Sequence, residues 1–299
     1  MYNKVHTKFI QEPLLDVLID GANACRSIPK GIESYPLGEY YLQSLFLKMT
    51  GAQEQKMKCI CWEMATNNYR YRYEYQRGSY GECSNYKDKS KVYSDIVKNI
   101  KEKDERFDPR HILDFDISKD VSNEAKLIKA NKIIVDQNNK KFAQGKPQLT
   151  EQQKEKIKKN VFDHPLSVDD KLSMYAFAEV KHIAKGSNLY LWDEKGYTFF
   201  NEHWEDVLNK KNFKLTEANF FSETMRNHYE EIVYRHRNRC AHNLTSYQQD
   251  VPPFEVLSDP KYSYCNYFFR YSILILIDEI FSLLFKKYIE LMCPYEFGL

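Results

Sequence analysis

Glycine and proline are both scarce in this chain, ten of each in 299 residues. That excludes collagen-like and low-complexity Pro/Gly stretches and leaves room for long helices. A dominant charge is also missing, since 44 Lys and Arg against 42 Asp and Glu give a net charge of +2. The imbalance is local: residues 85–160 hold 19 basic and 13 acidic residues, a surplus of +6, and the remainder stands at −4. This favours an anionic partner only weakly, because a Lys-rich helical surface, such as the cluster Lys154, Lys156, Lys158 and Lys159, reads first as a solvated face. The seven cysteines (25, 59, 61, 83, 240, 265, 293) form no CxxC pair. An odd set without a secretory leader reads as reduced thiols in a cytoplasmic protein. Cys59-x-Cys61 lacks a matching His pair for zinc. No Walker loop or dinucleotide fingerprint is visible, so no metal or cofactor is expected. The longest apolar stretch, Tyr267 to Leu284, is interrupted by Arg270, Asp278 and Glu279, which makes it a core helix rather than a membrane span.

What is present is material for a folded core: 42% hydrophobic residues, 15% aromatic, in a chain long enough for one large or two modest domains. Apolar spacing predicts helices from Pro13 to Ala24, from Pro36 to Met49 with a stop at Gly51, from Ala52 towards Gly78, and around Val92, Ile96 and Ile100. Arg106 to Ile117, with Pro109, reads as irregular. A long polar helix follows from Asp120 to Phe142, broken by Gly145-Lys146-Pro147. Thr150-x-x-Gln153 then forms a capping box, and Ser167-x-x-Asp170 starts an amphipathic helix ending at Gly186. Leu189–Trp192 and Tyr197–Phe200, joined by Asp193-Glu194-Lys195-Gly196, are the one hairpin candidate. A helix from Thr216 to Arg235, a polar loop from Leu244 to Pro253 and a last helix from Tyr264 to Leu291 complete the pattern. The expected fold is all-α, a helical bundle with room for one small hairpin. It divides into an N-terminal helical region, 1–166, suited to RNA or a partner, and a C-terminal domain, 167–299.

The chemistry concentrates in Arg237-Asn238-Arg239-Cys240-Ala241-His242-Asn243. Arginine offers phosphate a planar fork, and histidine moves protons near neutral pH. RNA carries its own nucleophile in the 2′-hydroxyl, so these groups suffice to cleave it. Asn238 and His242 are four apart and share a helix face, whereas Arg237 points about 140° away from His242. One regular helix therefore struggles to aim both at one phosphate, and a twofold pair of helices, or a kink at the motif, would resolve the difficulty.

The motif resembles the R-x(4–6)-H signature of the HEPN superfamily, in the form where Asn follows the Arg. Many HEPN proteins are metal-independent endoribonucleases, among them abortive-infection toxins, toxin halves of toxin–antitoxin pairs and nuclease domains of RNA-targeting CRISPR effectors. The resemblance covers the seven residues and, as helical patterning, the last 130 or so. It implies a bacterial defence or toxin effector with an all-helical domain, a composite site in a homodimer, and possible control by an antitoxin or other partner. His242 would be the general acid or base, Arg237 the phosphate clamp and Asn238 the positioning residue. Arg235 and Arg239 would track flanking phosphates. HEPN toxins paired with a nucleotidyltransferase carry a Tyr two residues after the His. Here Leu244 stands there and Tyr247 lies further on, which puts AMPylation control in doubt.

A second feature, Tyr69-Arg70-Tyr71-Arg72-Tyr73-Glu74-Tyr75-Gln76-Arg77, interleaves aromatics with guanidiniums. Single-stranded RNA needs faces for stacking and forks for phosphate, so Arg70, Arg72, Arg77, Tyr71 and Tyr73 are candidate RNA-binding residues. In extended form the tyrosines share a face; in a helix Arg70 pairs with Glu74. His228 and His236 are alternates for His242, and Asp278 or Glu279 could orient a motif side chain. The competing readings are that Arg237 and His242 merely cross-link helices, or that the chain is a non-catalytic HEPN module binding RNA or a partner protein.

Overall fold

A computed structural model describes residues 3–27, 34–77, 82–242 and 260–292. Among them thirteen α-helices follow one another: α1 (Lys4–Gln11), α2 (Leu14–Ala24), α3 (Tyr35–Asn67), α4 (Tyr69–Arg77), α5 (Tyr86–Lys101), α6 (Lys119–Ala143), α7 (Glu151–Asp163), α8 (Val168–Gly186), α9 (Leu189–Trp192), α10 (Glu194–Leu208), α11 (Glu223–His228), α12 (Arg235–His242) and α13 (Tyr267–Met292). The described chain is all-α, without a strand; one isolated bridge joins Phe213 and Phe221. No helix among the described residues is long and apolar enough to cross a membrane. The loop 244–253, with Leu244 and Tyr247, lies outside the described residues, as do Asn243 and Cys293.

Helix α13 is the axis. Its first twelve residues, Tyr267 to Asp278, are all buried, and a helix apolar on every side must be surrounded by others. Helices α2, α3, α5, α8 and α10 pack against it. One hydrophobic cluster runs through both halves of the chain, from Leu18, Phe46 and Ile96 to Phe177, Phe200 and Ile277. Polar contacts fix the register: Gln53 Nε2 donates to Leu274 O at 2.9 Å and Tyr271 Oη to Leu42 O at 3.0 Å. Asp278 does not reach the motif. It accepts from Lys56 Nζ at 2.8 Å and from the Leu14 backbone N–H at 2.7 Å, so it ties α3 and the start of α2 to α13.

Several boundaries differ from the sequence expectations. Helix α3 runs straight through Gly51, where a stop is expected. Buried Phe46, Met49, Met57 and Ile60 flank the glycine, and each such side chain gains about 1.5–3 kcal/mol, more than the ~1 kcal/mol a helical glycine costs. The hairpin is absent, because Leu189–Trp192 is α9 and Tyr197–Phe200 lies inside α10. Asp193 explains the difference: its carboxylate accepts from Gly196 N at 2.9 Å, so the supposed turn is a helix N-terminus. Phe200, Trp204, Val207 and Leu208 then bury at helical spacing. The helix expected from Thr216 begins only at Glu223, capped by Ser222 Oγ. By contrast, the capping box at Thr150 and Gln153 is present in full.

Gly51 is exposed, helical, and has nothing within 4 Å of where a Cβ would stand. Gly51→Ala should therefore raise stability by about 0.5–1 kcal/mol, measured by urea denaturation; a destabilised variant would show that the glycine meets a need the helix does not reveal.

Candidate functional site at the RNxxxH segment

The motif sits at the end of a helical run that changes type twice. Helix α11 passes into a π turn, Tyr229–Tyr234, whose ladder ends with the Arg235 N–H on Glu230 O, and α12 resumes the α pattern. π turns are rare and are often found at functional sites. This one keeps Tyr229, Ile232 and Val233 in the core. The buried Arg270 of α13 donates from Nε to Ile232 O at 2.9 Å and lies over the Tyr267 ring at 5.0 Å. A fully enclosed guanidinium thus anchors the π turn to the central helix.

Arg237 faces α3. Its Nε and Nη2 donate to Oε1 and Oε2 of Glu54, both at 3.1 Å, and Nη1 donates to Asn238 Oδ1 at 3.3 Å. The pair is largely shielded, with side-chain exposures of 20% for Arg237 and 11% for Glu54. A bidentate Arg–carboxylate contact is strong and geometrically specific. Nearby, Lys58 Nζ bonds Glu82 Oε2 at 2.9 Å, and that hydrogen bond holds the Glu82 carboxyl below its ordinary pKa and Lys58 above its own.

Beneath Glu54 lies Lys89, only 2% exposed. Its ammonium contacts Met57 Sδ at 3.7 Å and the Tyr229 ring at 5.8 Å. Burial pushes its pKa down to about 8, opposed by the Glu54 charge. Glu54, Lys58 and Lys89 escape the sequence reading altogether. Glu54 is 183 residues from Arg237, and no local pattern joins them.

The other proposed site residues separate into groups. Arg235 and Arg239 are exposed on α12, and Arg239 Nη2 also lies 2.6 Å from His236 Nδ1. His236 is no substitute for His242. It is buried between Phe46 and Tyr267, and burial, then the charges of Arg270 and Arg239, push its pKa far below the ordinary histidine value. It therefore stays neutral and accepts the Arg239 hydrogen bond. His242 is the last residue of α12, and its side chain lies outside the described residues.

The Tyr/Arg run is helical, as α4. Tyr71, at 5% exposure, is core and packs against Tyr75, so its ring cannot stack on a base. Arg72 donates to Ala65 O at 2.7 Å and Thr66 O at 2.9 Å, capping α3 instead of facing phosphate. Arg70, paired loosely with Glu74, and Tyr73, with Arg77 over its ring at 4.8 Å, remain on the surface.

Lys89 gives the site a pH signature. Between about pH 8 and the ordinary lysine value near 10.5, the unfolded chain holds the proton that the folded chain has released, so stability rises with pH in that window. Lys89→Met should abolish this rise and, at neutral pH, stabilise the fold by roughly 3 kcal/mol. Denaturation of both proteins across the window checks it; identical pH profiles would mean that Lys89 is better solvated than its burial implies.

Compared with protein-family models, with curated proteins and with solved structures, the chain gives no match.

Proposed function

We propose that this chain is a metal-independent endoribonuclease of HEPN type, a bacterial defence or toxin effector that cuts RNA through attack of the 2′-hydroxyl. The observation that supports it is the handling of Arg237: Glu54 and Asn238 hold its guanidinium in one orientation on a helix whose exposed side carries Arg235 and Arg239. A preorganised cation is what a phosphate gathering negative charge in the transition state requires. In this reading His242 moves the proton of the 2′-hydroxyl or of the leaving 5′-oxygen, Arg237 stabilises the phosphorane, and Asn238 positions the strand. The products carry a 2′,3′-cyclic phosphate and a 5′-hydroxyl.

The active form is a homodimer with two motifs at one site. Arg237 and His242 both belong to α12, downstream of the π turn, so that turn does not reduce the roughly 140° between them. A second motif supplies the missing direction. The dimer seam is not built from Phe220 and Phe221 or the first half of α13, which are buried within the protomer.

A second reading, a non-catalytic module that binds RNA or a partner protein, draws on the same contact. Glu54 already takes two of the nitrogens that would clamp a phosphate, and Arg237 would then serve as a cross-link between α12 and α3.

Cleavage decides between them. Purified protein in EDTA should cut single-stranded RNA, and Arg237→Ala and His242→Ala should each reduce the rate by about 10²-fold or more with the helical circular dichroism unchanged. Cutting that survives both substitutions, or that needs Mg²⁺, ends the nuclease proposal. Light scattering tests the composite site separately: a monomer that cuts RNA at low concentration rules it out.

A further inference from the structure

The last two helices of the N-terminal region, α6 and α7, form an arm. Helix α6, about 37 Å long by its 25 residues, pairs antiparallel with α7, which packs on α6 and makes no comparable contact with any other helix among the described residues. The base is bolted to the body by Lys181–Glu124 at 2.8 Å, Lys129–Asp170 at 2.9 Å and Lys132–Glu205. Beyond residue 132 the two helices pack chiefly on each other. Ile134 and Leu149 close the small core of the arm, and the Leu149 N–H donates to Asn138 Oδ1 at 2.8 Å. Gly145 makes the turn at φ +64°, with Lys146 N bonded back to Lys141 O at 2.9 Å. The capping box starts α7. The tip is therefore a built structure, yet α7 buries no residue.

Its surface chemistry is one-sided. Residues 133–163, to the end of α7, carry seven lysines and four carboxylates. Two lysines are neutralised within α7, Lys154 by Glu151 and Lys158 by Glu155. That leaves Lys140, Lys141, Lys146, Lys156 and Lys159, of which Lys141 contacts only the Gln153 amide oxygen, at 3.3 Å. Lys141, Lys156 and Lys159 line an open groove of about 710 Å³ with the amides Gln137, Gln153 and Asn160, the apolar Leu149 and Ile157, and one carboxylate, Asp163. Phe142, 81% exposed and the most exposed large apolar side chain described, follows Lys141 on α6, outside the lining of the groove.

We infer that the distal part of this arm is an RNA-holding surface, with the lysines on phosphates and Phe142 stacking on an unpaired base. Mobile ammonium groups suit a backbone whose phosphates shift, amides suit sugars and base edges, and a bare aromatic beside cations is the stacking platform of single-strand binders. An acidic protein partner would match the lysines equally but would not use the exposed ring of Phe142 as a stacking face. The inference takes from the proposed function only that RNA is the ligand, and it is independent of where the RNA is cut.

The test uses the full chain carrying His242→Ala, so that binding is read without cleavage, and a fluorescein-labelled single-stranded oligoribonucleotide whose anisotropy is followed against salt. Replacing the five unneutralised lysines by Gln should weaken binding about tenfold or more and make the slope of log affinity against log salt shallower by about 0.7 for each phosphate the variant no longer neutralises. Phe142→Ala should weaken binding while leaving that slope unchanged. A control with Lys4, Lys48, Lys87, Lys103 and Lys195 changed to Gln, all exposed and off the arm, should bind nearly as the parent does. If the arm variants bind RNA as the control does, the arm inference falls and the nuclease proposal stands. If the parent binds poly-glutamate in preference to RNA, the arm inference falls and cleavage still decides the nuclease proposal; if the parent binds no RNA, both fall.

Discussion

The buried ion pair between Lys56 and Asp278 sets the frame for everything else. Helix α13 is apolar on every side, and apolar packing alone leaves such a helix free to slide and rotate among its neighbours. A carboxylate sealed in that core can exist only with its partners in place. Asp278 has two, the ammonium of α3 and the first free N–H of α2. Three helices are thereby locked in register at one point. With α3 so fixed, Glu54 comes to lie where α12 passes, two residues before Lys56 and so about 160° round the helix from it. The placement of Arg237 is thus inherited from a contact of a different helix with the core.

Charge around the motif follows a consistent rule: cations that approach the core are answered within the protomer. Arg237 has Glu54, Lys58 has Glu82, and Arg270 has a carbonyl and aromatic faces. Lys89 is the exception, with a thioether and a ring in place of a carboxylate, and its lowered pKa is the physical trace of that shortfall. On the distal arm, away from the core, five lysines carry no carboxylate partner.

Local rules are legible in the sequence, and long-range pairings are not. The capping box at Thr150, the polar helix ending before Gly145 and the core role of the last helix all depend on neighbours within a few residues, and all are found. Leu189 to Phe200 suggests strands because a short aromatic run fits either period, and Asp193 as a cap decides for helix. Gly51 fails as a stop because its flanking side chains have a core to enter. In the Tyr/Arg run the alternation suggests a shared purpose, whereas the helix sends Tyr71 inward and turns Arg72 back onto α3. Arg237, Asn238 and His242 can be singled out by residue type, but Glu54 cannot, since only the folded path of the chain brings residue 54 to residue 237.

The π turn between Tyr229 and Tyr234 makes the aim of the motif a matter of counting. Its ladder spans five residues where an α-helix spans four, so it accommodates one residue more than the helix it interrupts. Removing that residue would restore an ordinary helix and rotate everything beyond it by about 100°. The guanidinium would leave Glu54, the imidazole of His236 would leave its aromatic slot, and both changes would occur without altering a single residue of the motif itself. An alignment of the RNxxxH letters is therefore insufficient to identify a chain with this site: the spacing between the Ser222 cap and Arg237 is as much a part of the signature as the residues it delivers.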